Sequence, residues 1–296
     1  MIKYNVMENL DFYSIKNLIP KRKDHSHKGD FGSLLAICGS SKYRGAAALA
    51  CESALRCGVG LLTLCSTEKV ISAVASRLPE ATFFPCDEGE NGEIKLIQID
   101  SLIAANPRTS AVLCGCGLTN TPLTKAMVYD LIENSDLPLV LDADALNCIG
   151  ANISILKKAR KTPIVTPHLG EFSRLCGLSI EQIKKDTENI ARAFATETKC
   201  LLVLKSHKTL VADTHGDLFE LDAPNPGLSR GGSGDLLAGM ISSFRAQGLS
   251  ALNSAKSGVA LHSAAAQRTR QRLGTVGMLP HDIIFDMISI LKESEI

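Results

Sequence analysis

Asn225-Pro226-Gly227-Leu228-Ser229-Arg230-Gly231-Gly232-Ser233-Gly234-Asp235 runs directly into Leu236-Leu237-Ala238-Gly239-Met240-Ile241. Glycines and a serine crowd the entrance to an apolar segment of helical composition. Backbone at such a junction bends without a Cβ penalty and turns several N–H groups toward one point. The first N–H groups of a helix lack intrahelical partners, and the peptide dipoles make that end positive. A phosphate or a developing oxyanion fits there, with the Asp235 carboxylate beside it. A glycine turn capped by Ser233 or Asp235 accounts for the same residues locally. The run is neither a Walker pattern nor a G-x-G-x-x-G fingerprint, so the rest of the chain has to decide between the two.

Upstream, short apolar runs alternate with helical segments. Leu34–Cys38, Leu61–Cys65, Thr82–Phe84, Ala111–Cys114, Leu139–Leu141, Ile164–Val165 and Cys200–Leu204 read as strands. Helices are expected over Ala46–Cys57, Thr67–Arg77, Ile97–Ala104, Thr124–Glu133 and Ile180–Thr196, and after the glycine run at 236–247, 250–271 and 281–292. Val211-Ala212 and Leu218–Leu221 flank a turn as a hairpin. Such alternation predicts a mostly parallel sheet covered on both faces, with ligand bound beyond the carboxyl ends of its strands. The polar residues gather in those loops: Gly39–Gly45, Gly115–Gly117, Asp142–Asn147, Pro167–Glu171, Lys205–Thr209 and the glycine run. Their convergence favours the anion cradle over the simple turn. Residues 1–27 read as a leading helix and connector, and the whole chain, 1–296, as one domain.

Lysine plus arginine (32) nearly balance aspartate plus glutamate (31), so no overall field recruits nucleic acid or an anionic membrane. Aromatic residues are sparse and Trp is absent, which leaves little to stack on bases. Ten cysteines include no C-x-x-C pair, and several lie in apolar runs, as buried thiols do in a reducing compartment. With no signal-peptide core and no uncharged span, a cytoplasmic location is expected.

Asp142-Ala143-Asp144-Ala145-Leu146-Asn147 puts two carboxylates and an amide at a strand end, as helix cap and solvated acids or as a shelf for water or Mg²⁺. In Thr166-Pro167-His168-Leu169-Gly170-Glu171, Glu171 suits a first helical turn, and His168 can present a nitrogen to a ligand. Lys205 stands either at an exposed strand end or in the lining of a nucleotide site.

Taken together, these segments resemble the ADP- or ATP-dependent NAD(P)H-hydrate dehydratases of the ribokinase-like superfamily. The resemblance runs from Lys28-Gly29-Asp30-Phe31-Gly32 to Leu279-Pro280-His281-Asp282. It implies a three-layer α/β/α fold with a mostly parallel central sheet. It also implies a repair enzyme that dehydrates C6-hydrated NADH or NADPH at the expense of ADP or ATP with Mg²⁺, by phosphorylating the hydroxyl and eliminating phosphate. By the same resemblance Asp235 is the catalytic base, and Ala46, Gly117, His168 and Asp235 face the hydrated dinucleotide. Lys205, Ser206, His207, Lys208 and Thr209, with Gly231, Gly232, Ser233 and Gly234, hold the nucleotide. Asp142, Asp144, Asn147 and Glu171 stand behind them, and no protein ligand is assigned to the metal. At a helix N-terminus Asp235 is expected to stay ionised and to be a weak base. Homo-oligomers are common in the family, and the epimerase domain fused to it in many bacteria has no counterpart here.

Two other readings use the same residues. One is a superfamily kinase of a small vitamin precursor of the hydroxyethylthiazole or hydroxymethylpyrimidine type. The other is a catalytically weak nucleotide-binding regulator. Arg44, Cys116, Leu169, Ser206 and Arg230 stand where the family usually has threonine, proline, proline, glycine and threonine. Ser206 is expected to crowd the nucleotide, and Arg230 to obstruct the site or add a phosphate contact.

Overall fold

A computed structural model describes residues 8–95 and 98–295. Its strands are β1 (Glu8–Asn9), β2 (Ser33–Ile37), β3 (Leu61–Thr67), β4 (Thr82–Cys86), β5 (Ala111–Cys114), β6 (Leu139–Leu141), β7 (Ile164–Val165), β8 (Leu201–Lys205), β9 (Thr209–Ala212) and β10 (Leu218–Leu221). The helices are α1 (Phe12–Ile15), α2 (Arg44–Arg56), α3 (Glu68–Ala75), α4 (Ile99–Ala105), α5 (Pro122–Asn134), α6 (Asp144–Ile149), α7 (Leu169–Cys176), α8 (Ile180–Lys185), α9 (Thr187–Thr198), α10 (Ser233–Ala246), α11 (Ala251–Gly277) and α12 (Pro280–Glu295).

All ten strands join one sheet in the order β1-β10-β9-β8-β7-β6-β5-β2-β3-β4. Pairing is parallel except where β9 lies antiparallel to β8 and β10. Side chains alternate across a strand, and β2 shows the result. Leu34, Ala36 and Cys38 point to one apolar layer with Ala47, Ala50 and Ala54 of α2 and Ile241 of α10. Leu35 and Ile37 point to the other, with Met127 and Leu131 of α5, Phe172 of α7 and Phe194 of α9. Both faces are therefore covered, giving three layers. A further apolar group, including Met240, Phe244, Leu261, Ile283 and Met287, seats α12 on α10 and α11.

Small residues set how closely α2 and α10 approach. An added Cβ on Gly239 would run into α2 at Ala50 and Ser53. Ser53 Oγ instead donates to the Leu236 carbonyl at 3.0 Å. The chain lays β3 and β4 on one side of β2 and β5 on the other, so the strand order reverses between β2 and β5. Loops leaving those two strands diverge there and open a crevice.

Two sequence expectations change, and a third falls partly outside the described residues. The leading segment also contributes the edge strand β1, paired parallel to β10 at Glu8↔Phe219 and Asn9↔Glu220. The helix expected over Ile180–Thr196 is two, α8 and α9, because Asp186 leaves helical geometry at φ −149° and ψ 50°. The helix expected from Ile97 is described from Ile99, Ile97 itself lying outside the described residues. All ten cysteines are free, and Cys38, Cys65, Cys114 and Cys200 are buried as small hydrophobes. Among the described residues no helix is long and apolar enough to cross a membrane.

Candidate active site

The glycine run closes into the start of α10. Gly232, at φ +100°, takes the left-handed conformation that precedes the helix, and Leu236 N donates to its carbonyl at 3.1 Å. An added Cβ there would lie 2.6 Å from Leu49 Cδ1, so backbone geometry and packing both call for glycine. Asp235 falls in the first turn. Gly234 leaves room beneath it for Lys205 and Asp142, whose Nζ and Oδ2 would lie 3.1 and 3.7 Å from an added Cβ.

Those two residues form a buried ion pair. Asp142, at the end of β6, accepts on Oδ1 from Lys205 Nζ at 2.8 Å and from Thr166 Oγ1 at 2.7 Å. Its side chain is 2% exposed and that of Lys205 19%. Burial works to lower the Lys205 pKa, but Asp142 and Glu171 outweigh it and hold the ammonium above its ordinary value. Lys205 is thus a fixed cation beneath the helix start.

Asp235 differs from the sequence expectation. Burial, reinforced by the nearby Asp142 charge, raises its pKa to about 6, against the opposing pull of the Cys116 thiol and Lys205. Proximity to a helix N-terminus does not offset the loss of water. A carboxylate in that range is a better base than an exposed aspartate and remains mostly ionised at neutral pH.

A cleft of about 480 Å³ at the sheet's switch point exposes Asp235. Its walls include Tyr43, Ala46, Gly117, Asp144 and Gly232. Ala46 and Gly117 therefore share one cleft with Asp235. Gly117 has φ +69°, and an added Cβ would approach Tyr43 Cβ to 2.6 Å and Ala46 Cβ to 2.9 Å. Gly117→Ala is expected to narrow this cleft and raise KM for its ligand at least tenfold, with a smaller change in kcat. Steady-state kinetics checks it; an unchanged KM would show that the ligand bypasses Gly117.

A second cleft, about 400 Å³, includes Ser206, His207 and Thr209 from the β8–β9 turn and Asn225, Pro226 and Ser229 from the approach to the glycine run. Leu237, Val259 and His262 also line it. Lys208 is not among its lining residues. Its Nζ pairs with Glu220 and Asp222, at 3.0 Å each.

His168, Glu171, Asp144 and Asn147 organise the neighbouring strand ends. His168 Nδ1 accepts from Gly170 N and Glu171 N and so caps α7, while Glu171 Oε2 accepts from His168 N. His168 Nε2 lies 3.4 Å from Glu171 Oε1, on a side chain 56% exposed. It is absent from the lining of the Asp235 cleft. Main-chain pairing sets it beside Lys205. Burial raises the pKa of Glu171. Asp144 accepts from Thr119 N at 2.8 Å and Asn147 Nδ2 at 3.2 Å, and Asn147 Oδ1 accepts from Arg174. Asn147 is thus a brace between Asp144 and α7.

Two of the unusual residues bond to main-chain carbonyls. Ser206 Oγ folds back to donate to the Lys208 carbonyl at 2.6 Å, within the turn. Arg230 donates to the Val276 carbonyl and lines neither cleft.

Cys116, Asp142 and Asp235 hold potential ligand atoms within 4.8 Å of one another. A thiol suits Mg²⁺ poorly, and Asp142 Oδ1 is already taken by Lys205 and Thr166. These residues therefore fit an ion carried mainly by phosphates rather than an all-protein cage.

Sequence reasoning passed over His262. It lies on α11, is 8% exposed and has a buried Nε2 with no hydrogen-bond partner. Burial, aided by Lys205 and opposed by the Ser233 backbone, lowers its pKa to about 4, so it is neutral. Its place on the helical face of Ala255, Val259 and Ala266 is the signal that marks it as inward-facing.

The family model described as NAD(P)H-hydrate dehydratase matches residues 34–289. A bifunctional NAD(P)H-hydrate repair enzyme of Moorella thermoacetica is 31% identical over 280 residues, covering 95% of this chain and 53% of that protein. The chain spans about half the length of such bifunctional relatives. An ADP-dependent (S)-NAD(P)H-hydrate dehydratase of Xanthomonas campestris is 35% identical, with 88% of each chain covered. Among solved structures, an ADP/ATP-dependent NAD(P)H-hydrate dehydratase of Bacillus subtilis, co-crystallised with ATP and Mg²⁺, superposes with a TM-score of 0.81. It is 28% identical and covers 97% of this chain and 99% of its own. A hydroxyethylthiazole kinase of Pyrococcus horikoshii, 13% identical with a TM-score of 0.59, shares the fold alone. With its glycine run, its half-buried Asp235 and its ribokinase-like sheet in place, the chain belongs to the NAD(P)H-hydrate dehydratase family.

Proposed function

We propose that the protein dehydrates C6-hydrated NADH or NADPH, using ADP or ATP as phosphoryl donor. The observation that carries this reading is that Asp235 lies in one cleft while the approach to its own helix lines a second. The first takes the hydrated nicotinamide ring, against Ala46 and Gly117. The second takes the adenine nucleotide along Ser206, His207 and Thr209. Phosphate then crosses to the helix start, where the N–H groups of Gly231 to Gly234 receive it and Lys205 supplies positive charge from beneath.

Asp235 accepts the proton of the ring hydroxyl as that oxygen bonds to the terminal phosphorus. The bond from phosphorus to the nucleotide's bridging oxygen breaks, leaving AMP from ADP. The phosphorylated ring then loses phosphate from C6 and a proton from C5, which restores the double bond. Phosphorylation matters because hydroxide is a poor leaving group and phosphate a good one. Mg²⁺ held by the nucleotide phosphates offsets their charge. The proposed enzyme is a single domain over 1–296, cytoplasmic and homo-oligomeric; light scattering reads the assembly directly.

Purified protein with Mg²⁺, hydrated NADH and either ADP or ATP is expected to restore the dihydronicotinamide absorbance. No recovery with either nucleotide, for NADH hydrate and NADPH hydrate alike, would sink the reading.

A further inference from the structure

We infer that His262 is a specificity residue for the nucleotide's sugar, its imidazole hydrogen-bonding a ribose hydroxyl in the second cleft. The inference rests on that cleft being the nucleotide site. His262 lines the cleft and is nine-tenths buried, and its Nε2 has no partner. Unpaired buried polar atoms are costly and uncommon, so one beside an open cleft points to a ligand.

Its position selects which part of a nucleotide it meets. The same cleft is lined by Leu221, Ala223, Pro226, Leu237 and Val259, apolar surface suited to a purine. Lys205 and the Ser233 backbone, both at the proposed phosphate end, act on the His262 ring. The group between base and phosphates is the sugar. The chemistry agrees. A neutral imidazole offers one donor and one acceptor, and a hydroxyl complements either nitrogen whichever carries the proton. Phosphate oxygens only accept, and an adenine amino group mainly donates. A neutral histidine also makes no ion pair with phosphate.

Calorimetric titration of the full chain with ADP, 2′-deoxy-ADP and 3′-deoxy-ADP tests this, in the wild type, His262→Leu and His262→Gln. Wild-type protein is expected to bind one deoxy analogue roughly tenfold more weakly than ADP. His262→Leu is expected to bind ADP about as weakly as the wild type binds that analogue, with no further loss for the analogue itself. His262→Gln, which keeps a polar head, is expected to retain part of the discrimination. Wild-type protein that binds both analogues as tightly as ADP overturns the inference, even if the leucine variant does not fold. Losses from the His262 change and the missing hydroxyl that simply add overturn it too. Failure of the wild type to bind ADP at all would instead remove the nucleotide reading of the cleft.

Discussion

Asp235→Asn is expected to lose turnover by a factor of roughly 10³ or more while becoming more stable at pH 7. The first effect follows from removing the proposed base for the hydroxyl proton, a role worth about 10²–10⁴ in rate, together with charge placed for phosphoryl transfer. The second follows from its pKa, raised to about 6 chiefly by burial. Above pH 6 the folded protein holds a carboxylate that is less well solvated than in the unfolded chain. Neutralising it removes a cost of about 1–3 kcal/mol. That gain shrinks as pH falls from 6 toward 4 and vanishes once aspartate is protonated in both states. Thermal melts across pH 4–8, with single-turnover assays, read both effects. A variant that is inactive but no more stable at pH 7 would mean that Asp235 is better solvated than its burial suggests. Wild-type kcat/KM should fall about tenfold per unit below pH 6, since the ionised form is the base.

Lys205→Met is expected to destabilise the fold by about 3–5 kcal/mol, because it strands the buried Asp142 without a counter-charge. Asp142→Asn removes the nearest counter-charge of the ammonium and leaves it Glu171. The double variant Asp142→Asn with Lys205→Met is expected to lose clearly less than the sum, by at least about 1.5 kcal/mol, since the two charges meet at 2.8 Å with Asp142 only 2% exposed. Denaturant unfolding of the four proteins measures the cycle. Additive losses would show that the pair is water-screened and that Lys205 is free to reach phosphate directly. Activity should be lost in the Lys205 variant at any stability, because the cation beneath the helix start is gone.

How much of this was readable in the chain differs from residue to residue. The strands announce themselves because a strand buried on both faces has to be apolar throughout, as β2 and β8 are. Asp235 and its glycines are legible for a local reason: a helix start that must approach a ligand closely needs residues without a Cβ. The contacts of Ser206 and Arg230 were not legible because their partners, the Lys208 and Val276 carbonyls, are set by the path of the backbone. The division at Asp186 was hidden because both flanking segments have good helical composition.

The sequence by itself determined the parallel α/β architecture, the strand-end loops that carry the chemistry, and Asp235 as the carboxylate at a helix start. These are matters of periodicity and of local backbone freedom, written within a few residues of one another. Only the tertiary structure decided how those groups act. It brought Lys205 to Asp142, 63 positions apart in the chain, beneath Gly234. It raised the Asp235 pKa instead of leaving it ordinary, turned Lys208 away to Glu220 and Asp222, and set His262 in the lining of the second cleft. Desolvation and charge proximity depend on which distant segments close over a group, and that is settled by packing rather than by neighbours in sequence.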